Sequence, residues 1–151
     1  MSLKQRLTDD TKAALLGGNR FEADTLRNLK AAILNEEVAK NKRDEGLSDT
    51  EIEQIVAREV KKRNESIALY EQNGRGELAD AEKAEIAVLE KYLPQQLTED
   101  EVAKLVDDAI TTVGAEGPQQ MGQVIGAVKS KAGTSADGAT IARIVKDKLK
   151  T

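Results

Sequence analysis

The chain has 151 residues, 23 Lys and Arg against 27 Asp and Glu, a formal charge of −4 and only 2% aromatic residues. It contains neither cysteine nor histidine, which excludes disulfides, thiolate metal sites, a cysteine nucleophile, an imidazole base and every Ser-His arrangement. Its core has to come from Leu, Ile, Val and Ala, and the abundance of Glu, Lys and Arg predicts an all-α protein. No apolar run reaches signal-peptide or membrane-span length, so a cytoplasmic protein without a membrane association is expected.

The spacing predicts a first helix over 2–16, with Leu3, Leu7, Thr11, Ala14 and Leu15 on one side and Gly17-Gly18-Asn19 as its stop. A second helix runs from about Phe21 to about Lys42 with Leu26, Leu29 and Ile33 inward, and Gly46 closes that region. Ser48 and Glu51 have the spacing of a capping box for a third helix, which carries Ile52, Ile55, Val56, Val60, Ile67 and Tyr70. Asn73-Gly74-Arg75-Gly76 ends it, and a fourth helix carries Leu78, Ile86, Leu89 and Leu93. These four helices are expected to form an N-terminal domain over residues 1–93.

Pro94 disfavours helix at Leu93 and marks the expected boundary. Thr98 and Glu101 form a second predicted capping box, opening a helix with Val102, Leu105, Val106 and Ile110 inward. Gly114 and Gly117 break it, and Pro118 suits the first turn of a helix whose apolar face is Met121, Val124, Ile125 and Val128. After a turn at Gly133-Thr134-Ser135, Asp137 is the expected cap of a last helix burying Ile141, Ile144, Val145 and Leu149. Residues 94–151 thus read as a three-helix domain, marginal in size on its own.

Several patterns resemble chemistry. Gly74-Arg75-Gly76-Glu77-Leu78-Ala79 has dinucleotide-loop spacing, but a helix precedes it where that mechanism needs a strand, so it reads as a helix–helix turn. Gly122 and Gly126 are predicted to permit close helix packing. The adjacent pairs Asp9-Asp10, Glu36-Glu37 and Asp107-Asp108 diverge on a helix. Glu82 and Glu85 can converge, on a divalent ion or more simply within a solvated or Lys-paired face. No serine has the spacing of a lysine-activated nucleophile. No catalytic residue, metal ligand or cofactor is predicted.

Charge separates the tail into halves. Pro94 to Glu116 holds one cation against six anions, whereas Gly117 to Thr151 holds six cations against two anions. Arg143, Lys146 and Lys150, at i, i+3 and i+7, line one side of the last helix, and Lys129 and Lys131 close the helix before it. The five make a candidate phosphodiester-binding face. The first-turn amides near Asp137-Gly138-Ala139 add to it, with Asp137 competing for them. The alternative is that these cations complement helix dipoles and solvate the surface. A second cluster, Arg58, Lys61, Lys62 and Arg63, is interleaved with Glu59 and Glu65, and Lys61 and Glu65 are predicted to pair at i, i+4. Phe21, Tyr70 and Tyr92 are the only aromatics, so no platform for stacking single-stranded bases is expected.

Taken together, Glu90-Lys91-Tyr92-Leu93-Pro94-Gln95-Gln96-Leu97-Thr98, Met121-Gly122-Gln123-Val124-Ile125-Gly126-Ala127, Lys131-Ala132 and Ala136-Asp137-Gly138 resemble the YqeY-like proteins. Thr25-Leu26-Arg27-Asn28-Leu29-Lys30-Ala31-Ala32-Ile33, Lys61-Lys62-Arg63-Asn64-Glu65-Ser66-Ile67 and Gly74-Arg75-Gly76-Glu77-Leu78 extend the resemblance along essentially the whole chain. The C-terminal part is similar to the tail domain of the B subunit of the tRNA-dependent amidotransferase, a helical domain that helps hold tRNA. Related domains are attached to a tRNA-charging enzyme. The resemblance implies two helical domains and a non-catalytic accessory protein that engages tRNA, or an amidotransferase or tRNA-charging enzyme, through its tail. It also attaches the family label of a carbon–nitrogen ligase with glutamine as amide donor, although the B subunit's catalytic portion and an amidase-like serine–lysine arrangement are both missing. The alternative from another class is a protein–protein adaptor without an RNA role, marked by exposed apolar residues contiguous with Tyr70 or Tyr92.

Overall fold

A computed structural model describes residues 2–150. Among these residues there are seven α-helices and no strand: α1 Leu3–Leu16, α2 Arg20–Ala39, α3 Asp49–Gln72, α4 Gly76–Leu89, α5 Glu99–Val113, α6 Met121–Ala132 and α7 Gly138–Leu149. No helix among them is long and apolar enough to cross a membrane. The chain forms two compact units, Met1–Leu93 and Pro94–Thr151.

The first unit packs α1–α4 around Leu7, Leu26, Leu29, Ile52, Val56, Leu89 and Tyr92. The Ser2 hydroxyl accepts the Gln5 amide and starts α1. Leu7, Thr11 and Ala14 face inward, but Leu15, expected beside them, is 44% exposed because it lies about 100° round the helix from Ala14. Asn19 is more than part of a stop, since its side chain accepts the Glu22 amide and caps α2. The next departure is at the end of α2, which stops at Ala39, short of Lys42. Asn41 takes a left-handed conformation (φ 55°), and the Lys42 amide donates back to the Glu37 carbonyl at 2.7 Å. An αL asparagine thus does there what glycine usually does.

The Glu37 carboxylate is almost wholly buried (2% exposed). It accepts the Lys4 ammonium of α1 at 2.8 Å and the Leu47 amide at 3.2 Å. A single carboxylate therefore joins α1, α2 and the connector to α3. Gly46 closes over this pair with φ at 77°, and an added Cβ there would lie 3.5 Å from Glu37 Oε2 and 3.6 Å from Lys4 Nζ.

The Ser48–Glu51 capping box is complete: the Glu51 amide donates to Ser48 Oγ at 3.2 Å and the Ser48 amide to Glu51 Oε1 at 3.1 Å. The Ser48 amide, with Lys42 and Lys40, holds the Glu51 carboxyl down at about 2. At the far end of the unit, a 3₁₀ turn over Glu90–Tyr92 leads to Leu93, which is extended as Pro94 requires (ψ 156°). The Tyr92 hydroxyl donates to Asp10 at 2.6 Å, while the Arg6 guanidinium covers its ring at 4.7 Å and donates to the Lys91 carbonyl. Burial, followed by the Asp10 bond, raises the Tyr92 pKa.

In the second unit, α5–α7 enclose Val102, Val106, Val124, Val128, Ile141, Val145 and Leu149. Thr98 caps α5 by accepting the Glu101 amide, but only half of the expected box forms: the Thr98 hydroxyl itself donates to the Glu101 carboxylate at 3.2 Å. Gly114 ends α5 in the left-handed region (φ 72°). Pro118 opens a separate 3₁₀ turn, Pro118–Gln120, immediately ahead of α6. The Leu97 amide donates to the Ser135 carbonyl at 2.8 Å, tying the start of the unit to the α6–α7 turn.

Glu37→Ala should destabilise the protein by about 2 kcal/mol in urea denaturation, since it strands the Leu47 amide while Lys4 remains half in water. Gly46→Ala should cost about 1–2 kcal/mol through its left-handed backbone. Because the folded Glu51 carboxyl titrates near 2 against an ordinary value of 4.5, its contribution is present above about 4.5 and disappears as pH falls through about 2. Glu51→Gln should therefore show a flatter loss of stability over that acid range than the parent protein, measured by melting at each pH.

Candidate nucleic-acid interface

Lys129 and Lys131 stand in the last turn of α6, Arg143 and Lys146 on α7, and Lys150 directly after it. All five are exposed. Arg143 and Lys146 share one side of α7. Lys150 is the C-cap residue, where the backbone turns out of the helix (φ −76°, ψ 120°). Lys129 reaches across the turn: its Cε and Nζ both lie 3.5 Å from the place a Cβ would take on Gly138, at the start of α7.

The two charge halves of the tail are not independent. Arg143 is engaged by Glu99 of α5, and Lys148, outside the candidate set, donates to Asp107 at 2.9 Å. Lys129, Lys131, Lys146 and Lys150 have no ion pair or hydrogen bond from their side chains to any described residue. Asp137 occupies the N-cap position of α7, yet its carboxylate accepts the Thr140 hydroxyl at 3.4 Å and caps no backbone amide. Gly122 and Gly126 do not mediate close helix packing: both are exposed, with nothing within 4 Å of an added Cβ. They leave part of the outer surface of α6 without side chains, two turns and one turn ahead of Lys129 and Ser130.

The cationic cluster of α3 is absorbed by structure. Arg63 donates to Glu85 at 2.7 Å and to Glu59 at 3.4 Å, and lies 3.9 Å from Glu82. Burial opposes its charge, but Glu85 and Glu59 outweigh that and raise its pKa. Glu82 and Glu85 thus converge on a guanidinium. Lys62 pairs with Glu59 and Arg58 with Glu36, while the predicted Lys61–Glu65 pair does not form. Among the described residues no group of three or more carboxylates is placed to hold a metal ion. Gly74, at φ 71°, and Gly76, the first residue of α4, make the α3–α4 turn.

A model of the YqeY-like protein family matches residues 4–149. The Altered inheritance of mitochondria protein 41 of Kluyveromyces lactis is 29% identical over 128 residues, covering 83% of this chain and 68% of its own length. The protein of the same name from Clavispora lusitaniae is 31% identical over 127 residues, covering 76% and 71%. That of Saccharomyces cerevisiae is 25% identical, covering 83% and 69%. These relatives are named as mitochondrial, which overturns the cytoplasmic location expected from sequence. The absence of an apolar export segment was no guide, because mitochondrial targeting uses amphipathic, Arg-rich segments rather than apolar ones. With the match spanning nearly every residue from α1 to α7, the chain belongs to the YqeY-like family.

Proposed function

We propose that this YqeY-family chain is an accessory protein without chemistry of its own, and that residues 94–151 act as a separate domain engaging tRNA or a tRNA-handling enzyme. The observation that carries the reading is the set of four exposed cations, Lys129, Lys131, Lys146 and Lys150, with no anionic partner among the described residues. Most of the other cations on α5–α7 are taken up: Arg143 and Lys148 already answer to Glu99 and Asp107. The bare surface at Gly122 and Gly126 supports close approach of a sugar–phosphate backbone beside Lys129. Phosphate contacts of this kind give affinity and little base readout. Arg143 has a different role from its neighbours, because Glu99 competes with a phosphate for its guanidinium.

A second reading, a protein–protein adaptor, draws on Leu15, Leu16 and Phe21 around the α1–α2 turn, where Leu16 is 80% exposed. Tyr92 offers it nothing, being buried in the first unit.

Binding of unfractionated tRNA to the intact protein across a salt series separates the two. Neutralising four phosphates should give a slope of log K against log salt of roughly −3 to −4. Lys129→Ala and Lys146→Ala should each weaken binding and shorten the slope by roughly 1. Glu99→Ala should strengthen binding several-fold by releasing Arg143. Gly126→Ala should raise stability by about 0.5–1 kcal/mol, as alanine suits an open helical position better, and yet weaken tRNA binding. No binding at low salt would reject the tRNA reading. Loss of a protein partner on Leu16→Asp would then favour the adaptor.

A further inference from the structure

The first unit has a cleft of ≈ 390 Å³ between α1, α2 and the connector to α3. Ala31 and Leu34 supply an accessible apolar wall backed by the buried Leu7 and Ile33, and Lys4, Lys30 and Arg43 supply positive charge. The volume falls within the range of roughly 300–1,000 Å³ usual for small-molecule sites, and a mostly apolar lining with a few converging polar groups is the usual composition.

The charge of this cleft is not balanced from within. Glu37 is its one carboxylate, and that group is already committed to Lys4 and to the Leu47 amide. Lys30 is half-buried, and its side chain has no hydrogen bond or ion pair with any described residue; the Arg43 guanidinium also has none. An ammonium partly withdrawn from water beside leucine and isoleucine favours a counter-anion. Lys4 uses one of its three N–H donors on Glu37 and keeps the others. A plain anion would leave the Leu34 wall wet, since that residue is 42% exposed, and an uncharged apolar molecule would leave Lys30 unanswered. One ligand chemistry meets both demands.

We infer that this cleft binds a small amphiphilic anion, a carboxylate or phosphate headgroup on a short apolar arm. The headgroup sits between Lys30 and Arg43, and the arm lies along Ala31 and Leu34, over the buried Leu7 and Ile33. The site is independent of the tail cations.

The test is titration of the ¹⁵N-labelled full chain with octanoate and with octyl phosphate, both below micelle-forming concentrations, followed by amide shifts. Octylammonium and inorganic phosphate serve as controls. The expected result is saturable binding of at least one amphiphilic anion, with shifts concentrated at residues 4–7, 30–34 and 43. Octylammonium and inorganic phosphate should bind at least tenfold more weakly. Lys30→Ala combined with Arg43→Ala should weaken the anion at least tenfold, and Leu34→Asp should abolish binding, both at unchanged melting temperature because these residues lie outside the packed core. Lys146→Ala should leave it untouched. Preference for octanoate over octyl phosphate, or the reverse, identifies the headgroup. Absence of saturable binding by either anion, equal binding of octylammonium, or unchanged binding by the double variant would overturn the proposal.

Discussion

The buried carboxylate of Glu37 is the constraint on which the arrangement of the first unit depends. A charge removed from water has to be answered by donors, and Glu37 draws them from two separate segments: Lys4 on α1 and the Leu47 amide just ahead of α3. The bond to Leu47 brings the connector back over α2, so that Ser48 stands where it can cap α3. The left-handed turn at Asn41 also places Lys42 within 3.2 Å of Glu51. Asp10 does comparable work at the other end through Tyr92. In a chain with 2% aromatic residues, aliphatic side chains fill the interior, and buried or half-buried carboxylates define how the helices meet.

In the second unit carboxylates act as competitors for the cations. α5 carries the acidic residues, and two of them, Glu99 and Asp107, take up Arg143 and Lys148 on α7. An exposed pair of this kind contributes little to stability, but it decides which cations remain available to a polyanion. The surface left over is smaller than a count of lysines and arginines suggests. It is concentrated at the end of α6 and on both sides of the end of α7.

Helix number and the aliphatic core were legible in the chain, because Leu, Ile and Val recur at three- and four-residue spacing from Leu7 to Leu149. Ser48, Thr98 and Pro94 could be interpreted for a local reason: their effects reach only three residues or one. What escaped was tertiary. Glu37 continues the inward series Leu26, Leu29, Ile33 at the next helical step, and that spacing was the available signal; it was masked by reading Glu36-Glu37 only as a pair that diverges on the helix. Asn19 and Asn41 are ambiguous because asparagine serves turns, caps and left-handed positions alike. Glu82 and Glu85 do converge, on Arg63, a partner 19 and 22 residues away that spacing alone cannot supply. The five tail cations were individually visible, whereas the engagement of Arg143 by Glu99 depends on how α5 packs against α7.

The contacts around Tyr92 have a mechanical meaning. Arg6 and Asp10 of α1 hold Lys91 and Tyr92, residues more than eighty positions later in the chain. The start and finish of the first unit are therefore fastened to each other. A pull exerted beyond Leu93 reaches α1 through the Asp10–Tyr92 bond as well as α4 through the backbone, so the load is shared by two helices from the outset. Peeling α4 away by itself requires that clasp to open as well.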